Sequence, residues 1–224
     1  MKKALTLVIL IVTPSIIFAA GSVAFQNQTG LVQQWTSSYD STLAPVPVGG
    51  GYVQLIAAPA GTSLQPLGVY EGSLGFVPGF SSLAGFLAAN QGWVAPLNGY
   101  WTGPQGPVPV NFLPGIFNGG VAILPNIAGG AEADYVVIGW TGPYATYDAA
   151  YAADLASPNS SFLGTSAIAR TRTGDLDTTN PGLAVSLRPT FQGMTLAPAV
   201  IPEPTTVLLA GLGAVLLLLF RRRG

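Results

Sequence analysis

Apolar and polar positions divide the chain into three zones. Ala4 to Ala20 is an apolar run, preceded by Met1-Lys2-Lys3 and interrupted by Thr13-Pro14-Ser15. Val207 to Phe220 carries no charge and is followed by Arg221-Arg222-Arg223-Gly224. Between these runs lie short alternating segments punctuated by Gly and Pro, the pattern of an all-β chain with frequent turns. The alternation predicts strands at Gly51 to Ala57, Gly120 to Leu124, Ala133 to Thr141 and Thr190 to Leu196. Less regular stretches at Gly30 to Thr36, Gly68 to Glu71, Pro107 to Phe112 and Ser161 to Ser166 add further strands, and Ser22 to Asn27 alternates like a first strand. Asp134 to Trp140 holds the run Val-Val-Ile, which points to a central strand covered on both faces. Ala145 to Leu155 is alanine-rich, reads as a helix and is cut off by Pro158. Ser81 to Asn90 is a candidate second short helix.

These elements predict a mainly β fold. It is a single β-sandwich-like domain, residues 22–199, with one short Ala-rich helix. An N-terminal signal peptide, residues 1–21, and a C-terminal tail, residues 200–224, flank it. A cationic start, an apolar run and small residues after it make up the secretory signal. Ala19-Ala20-Gly21 and Ser22-Val23-Ala24 both fit a small-x-small cleavage site, and the first leaves the Ser22 strand whole. In the tail, Thr205 to Phe220 makes a transmembrane helix of roughly 24 Å at about 1.5 Å per residue. That is short against a hydrocarbon core of about 30 Å, so Arg221 must snorkel or the bilayer must thin. Arg221, Arg222 and Arg223 stay cytoplasmic by the positive-inside rule, which places the body outside.

Charge sharpens this picture. The chain carries a formal net charge of −1. Without its two cationic ends the body keeps Arg170, Arg172 and Arg188 against eight carboxylates. No cationic cluster is left to neutralise phosphates, so nucleic acid is not an expected partner. There is no cysteine and no histidine, and no lysine after Lys3. Thiol nucleophiles, Ser-His-Asp triads, Ser-Lys dyads, Schiff bases and His or Cys metal sites are therefore impossible. Carboxylate-pair chemistry of the glycosidase type remains, with Glu132 and Asp134, or Asp175 and Asp177, as the pairs. Glu132 and Asp134 also read simply as a solvated strand entrance. Arg170 to Gly182 is the most polar stretch of the body and reads as a loop whose arginines pair with its aspartates. Asp175, Asp177 and Asn180 there offer oxygen ligands of the kind calcium takes, without the order of a twelve-residue calcium loop. No cofactor and no catalysis are expected.

Aromatic residues concentrate mid-chain. Tyr100, Trp101, Trp140 and Tyr144 flank two copies of Trp-Thr-Gly-Pro, at 101–104 and 140–143. The echo reads as a strand turning at Gly-Pro. These rings are candidates for stacking on carbohydrate, or for core packing. Asn27-Gln-Thr and Asn159-Ser-Ser match the Asn-x-Ser/Thr glycosylation pattern.

The tail carries a resemblance. Pro202-Glu203-Pro204, the apolar run and Arg221-Arg222-Arg223 resemble the PEP-CTERM sorting tail of exported bacterial proteins. The resemblance covers about a tenth of the chain. It implies that an exosortase is the processing partner and cuts near Pro-Glu-Pro. It implies a transient inner-membrane stay, then delivery to the cell surface or the exopolysaccharide matrix. The body resembles uncharacterised β-sandwich bodies that precede such tails. That likeness rests on Phe25-Gln-Asn, Val53-Gln-Leu-Ile-Ala-Ala-Pro-Ala-Gly, Phe117-Asn-Gly-Gly-Val, Thr146-Tyr-Asp-Ala-Ala, Ser161-Phe162 and the closing Phe191-to-Leu196 stretch. The expected function is that of a non-catalytic structural or interaction protein of the surface or matrix. The alternative is an extracellular carbohydrate-binding module using exposed aromatics.

Overall fold

The computed structural model describes residues 20–37, 40–65, 68–70, 76–98, 106–157, 159–175 and 184–199. Most of the predicted signal peptide, the whole expected tail with its predicted transmembrane helix, and Tyr100, Trp101, Asp177 and Asn180 lie outside these residues. Among the described residues no helix is long and apolar enough to cross a membrane.

The body is mainly β with two short helices. The first part runs β1 (Ala20–Gln26), β2 (Val32–Ser37), β3 (Asp40–Pro45), β4 (Gly51–Pro59), β5 (Gly68–Tyr70), β6 (Phe76–Pro78), α1 (Leu83–Ala89) and β7 (Leu97–Asn98). Then come β8 (Val108–Leu113), β9 (Ile116–Ala128), β10 (Glu132–Thr141) and α2 (Tyr147–Ala156). The last strands are β11 (Leu163–Thr165), β12 (Ala169–Arg172), β13 (Gly174–Asp175), β14 (Val185–Ser186) and β15 (Met194–Leu196). One sheet has the order β13-β1-β9-β8-β4-β10-β11-β6-β5, with β12 on β10, β14 on β1 and β7 on β9. A second, three-stranded sheet has the order β15-β2-β3. Neither order closes on itself.

The β4–β10 pair is the spine. It runs antiparallel from Ala133 opposite Pro59 to Thr141 opposite Gly51. Successive side chains point to opposite faces, and both faces are covered, as the Val-Val-Ile run predicts. Ala133, Tyr135 and Val137 join Val53, Leu55 and Ala57 in one apolar cluster. Val136, Ile138 and Trp140 join Ile56 and Ala58 in another. The small sheet closes the first face, since Val32, Met194 and Leu196 belong to that cluster. Gly139 makes this possible: a Cβ there would sit 2.9 Å from the Met194 methyl. The helices close the second face through Phe86 of α1 and Tyr147 and Ala150 of α2.

Two helices form where one was expected in the fold, and the Ser81–Asn90 stretch supplies the second. Ser82 caps α1, its hydroxyl accepting from the Gly85 N–H at 3.4 Å. Asp148, in the first turn of α2, accepts from the Ser82 hydroxyl and the Leu83 N–H, both at 2.9 Å. The two helices are thus capped as a unit.

Other expectations need correction. Thr190 to Leu196 is strand only from Met194, because Phe191 N–H turns back to the Leu187 carbonyl and Gly193 takes a positive φ of 106°. The stretch beginning at Arg170 is not all loop. Arg170 to Arg172 pairs with β10, and Gly174-Asp175 pairs with β1.

Candidate functional site

The body delivers its C-terminal end at a fixed point. Leu163 and Ala197 exchange both backbone hydrogen bonds, at 2.7 and 2.9 Å. Two residues on, the Ala199 N–H donates to the Asp154 carboxylate of α2 at 2.7 Å. Asp154 is buried. Gly164 brings β11 close enough for this arrangement, since a Cβ on it would collide with the Thr195 carbonyl. The chain is therefore held by β-pairing and a buried carboxylate up to Ala199, and only Val200 and Ile201 separate that hold from Pro202. The residues of the expected sorting motif, Pro202, Glu203, Pro204 and Arg221 to Arg223, lie beyond it, outside the described residues.

The candidate sites inside the body resolve differently. Asp134 is not a solvated carboxylate. It faces Arg170 across the β10–β12 pair and is 6% exposed. Arg170 Nε and Nη2 donate to its two oxygens at 2.7 and 3.1 Å, and the Gly61 N–H donates at 2.7 Å. The Arg170 hydrogen bond holds the Asp134 carboxyl below the usual carboxylate range, against the opposing effect of burial. Glu132 lies 3.8 Å from the same guanidinium. Two carboxylates sharing one arginine on one strand do not face each other across a cleft, as glycoside hydrolysis requires. The cluster is a clasp between β4, β10 and β12. The expected pairing of Arg172 within its own stretch is also replaced, for its Nε donates to the Gly130 carbonyl at 2.8 Å.

The clasp predicts a pH dependence. A carboxylate whose pKa is depressed on folding stabilises above its unfolded value of about 3.9, and that contribution is lost as pH falls through the folded value. Thermal melts between pH 7 and 2 should show the wild type losing stability below about pH 4 more steeply than Asp134→Asn. Parallel curves for the two proteins would refute the clasp.

Trp140 corrects the aromatic expectation. It is 0% exposed, and its indole N–H donates to the Tyr144 carbonyl at 2.8 Å. Tyr147 meets its ring edge-on at 6.2 Å between centroids, and Tyr52 stacks at 6.1 Å. It has no free face for a sugar and is a core residue. Tyr144 is partly buried against the same cluster. The Trp-Thr-Gly-Pro segment at 140–143 turns as expected, with Gly142 at φ 89° donating its N–H to the Gly50 carbonyl.

Asn27 is likewise structural. It is 2% exposed. Its amide donates to the carbonyls of Gly30 and Gly115 and accepts from the Phe117 N–H at 2.7 Å. A glycan cannot be attached there without breaking this network. Asn159 is exposed on a turn with φ 72°. Asp175 is exposed at the edge of the large sheet, and the other calcium candidates, Asp177 and Asn180, lie outside the described residues. Among the described residues no group of three His, Cys, Asp or Glu side chains gathers as a metal site would require.

Grooves mark the described surface. One, of about 390 Å³, lies between β12 and the segment before β15 and is lined by Ile168, Arg170, Thr190 and Phe191. Thr190 sits 2.8 Å from the Tyr135 hydroxyl, whose pKa burial pushes up to about 12. Another, of about 200 Å³, lies between the end of β1 and the β8–β9 hairpin.

No curated protein and no solved structure shows significant similarity to the chain. A family model for the PEP-CTERM protein-sorting motif matches residues 200–223. A motif of this kind implies sorting by an exosortase and an extracellular destination. By that match, beginning one residue after the last described residue of the β body, the chain is a carrier of the PEP-CTERM protein-sorting motif.

Proposed function

We propose that residues 22–199 form one β-sandwich-like body that acts, without catalysis, as a structural or interaction protein of the cell surface or exopolysaccharide matrix. Residues 1–21 export it, and the tail holds it briefly in the inner membrane with Arg221 to Arg223 inside. An exosortase then cuts near Pro202. The observation that carries this reading is the motif match at residues 200–223, abutting a body whose described residues are held as far as Ala199. A cut on the Pro202 side of Ala199 removes none of the described strands. The N-terminal end agrees. β1 begins at Ala20, so signal cleavage after Gly21 would trim its first two residues but leave Ser22 to Gln26 on β9, whereas cleavage after Ala24 would also remove Val23, which is buried in the core.

Mass spectrometry of the protein collected from the cell surface tests the reading. The expected species starts at Ser22 and ends near Pro202. Surface protein that keeps Arg221 to Gly224 would refute the sorting claim. The carbohydrate-binding alternative loses Trp140 to the core and has only partly buried Tyr144 among the described residues.

A further inference from the structure

The smaller groove has chemistry that the fold does not use. Phe112, on the β8–β9 hairpin, is 71% exposed, the largest exposed ring among the described residues. Arg188 lines the same groove, with Gln26, Gln28 and Asn118. Beneath them Asn27 and Phe117 are buried and fixed to one another by hydrogen bonds, so the floor is set before any ligand arrives.

Arg188 differs from the other two body arginines. Arg170 is committed to Asp134 and Glu132, and Arg172 to the Gly130 carbonyl. Arg188 makes one bond to a neutral group, donating from Nη2 to the Gln26 amide oxygen at 3.1 Å. Among the described residues no carboxylate lies within ion-pair distance of it. A planar guanidinium is built to take a carboxylate through two parallel hydrogen bonds. Asn118 uses its oxygen on the Gly120 N–H at 3.1 Å, which leaves its NH₂ as a donor. Exposed Gln28 adds a second amide.

We propose that this groove binds a uronic-acid residue of an acidic polysaccharide. Arg188 takes the carboxylate, Phe112 covers the ring, and the Asn118 and Gln28 amides meet the hydroxyls. At about 200 Å³ the groove is smaller than the roughly 300–1,000 Å³ of drug-sized sites. It accommodates one sugar residue, with the rest of the polymer running over the surface. The body is acidic overall, so an acidic polymer is repelled except where a local cation receives it. An acidic peptide would use Arg188 alone and leave the ring and amides without a role. The proposal deepens the carbohydrate-binding alternative and moves it to residues that composition did not single out. It rests on the extracellular reading only for where the ligand is met.

The test is affinity electrophoresis of the full chain in mild detergent, with polygalacturonate, neutral dextran or poly-glutamate in the gel. Polygalacturonate should retard the protein and dextran should not. Arg188→Gln should weaken retardation at least about tenfold, which is about 1.4 kcal/mol, and Phe112→Ala several-fold. Arg172→Gln, at another exposed arginine outside the groove, should bind as wild type. Matching melting temperatures show that the variants fold. Absence of retardation, equal retardation by poly-glutamate, or wild-type binding by Arg188→Gln each overturns the proposal. Cell fractionation is read separately: binding by a protein never found outside the cell would refute export and leave the groove standing.

Discussion

Trp140→Ala should lower the unfolding free energy of the body by about 3–5 kcal/mol, the usual range for deleting a buried Trp or Phe. The size follows from position. Trp140 closes the central strand, has no exposed surface, and packs between Tyr52 and Tyr147. The substitution leaves a cavity that β4 and α2 cannot both collapse into, because each is paired or capped elsewhere. It also strips the Tyr144 carbonyl of its indole donor. Trp140→Phe keeps much of the volume and should lose roughly half as much or less. Urea unfolding of the full chain in detergent, followed by far-UV circular dichroism, measures both. A loss under about 1 kcal/mol for the alanine variant would mean the ring is not core. Polysaccharide binding in the folded fraction should be unchanged, which separates a packing role from a sugar platform.

Replacing Pro202, Glu203 and Pro204 together by alanine should keep the chain in the membrane fraction and reduce surface release at least about tenfold. A tenfold drop in kcat/KM is about 1.4 kcal/mol of transition-state binding. The two prolines lack N–H groups and disfavour a helical residue before them. Prolines at these positions work against a helix running back from the apolar run. Alanines lift that restriction, so the proposed cut would then have to compete with helix formation. Immunoblots of membrane and surface fractions decide the matter. Wild-type release of the alanine variant would show that Pro-Glu-Pro is dispensable.

The spine of the fold was legible and its edges were not. Val136-Val137-Ile138 flanked by Tyr135 and Trp140 leaves no polar face, so a central strand was the natural reading. α2 was legible because alanines outweigh a β pattern there. β12 and β13 were hidden because Arg-Thr-Arg-Thr-Gly-Asp is polar at every position. They form because β10 and β1 offer open backbone edges, a tertiary cause that local pattern does not carry. β3, mostly exposed, escaped notice for the same reason. The Asn27 pattern counts residue types and says nothing of burial. Trp140 read as either core or platform, since the residues that cover that face, Phe86 and Tyr147 among them, come from elsewhere in the chain. Arg188 and Phe112 lie far apart in sequence. They meet because β9 pairs with β1 and β14 joins β1 in parallel, which spacing along the chain does not reveal.

The parallel pairing of β15 with β2 sets an order of events. Met194 lies opposite Val32, so the small sheet joins a strand near the start of the body to the last strand before the tail. A chain threaded outward from its N-terminus exposes β2 and β3 early, and they must wait. Until Leu196 has crossed, the face of β10 at Gly139 has no cover from Met194 and Leu196. If the chain is exported as proposed, folding finishes only as residues 200–223 reach the membrane. A tail that halted the chain there would keep a nearly complete body in place, with one slot empty and the filling strand beside it. Severance before that slot fills would cast off a half-closed sheet, and severance after it releases a finished one.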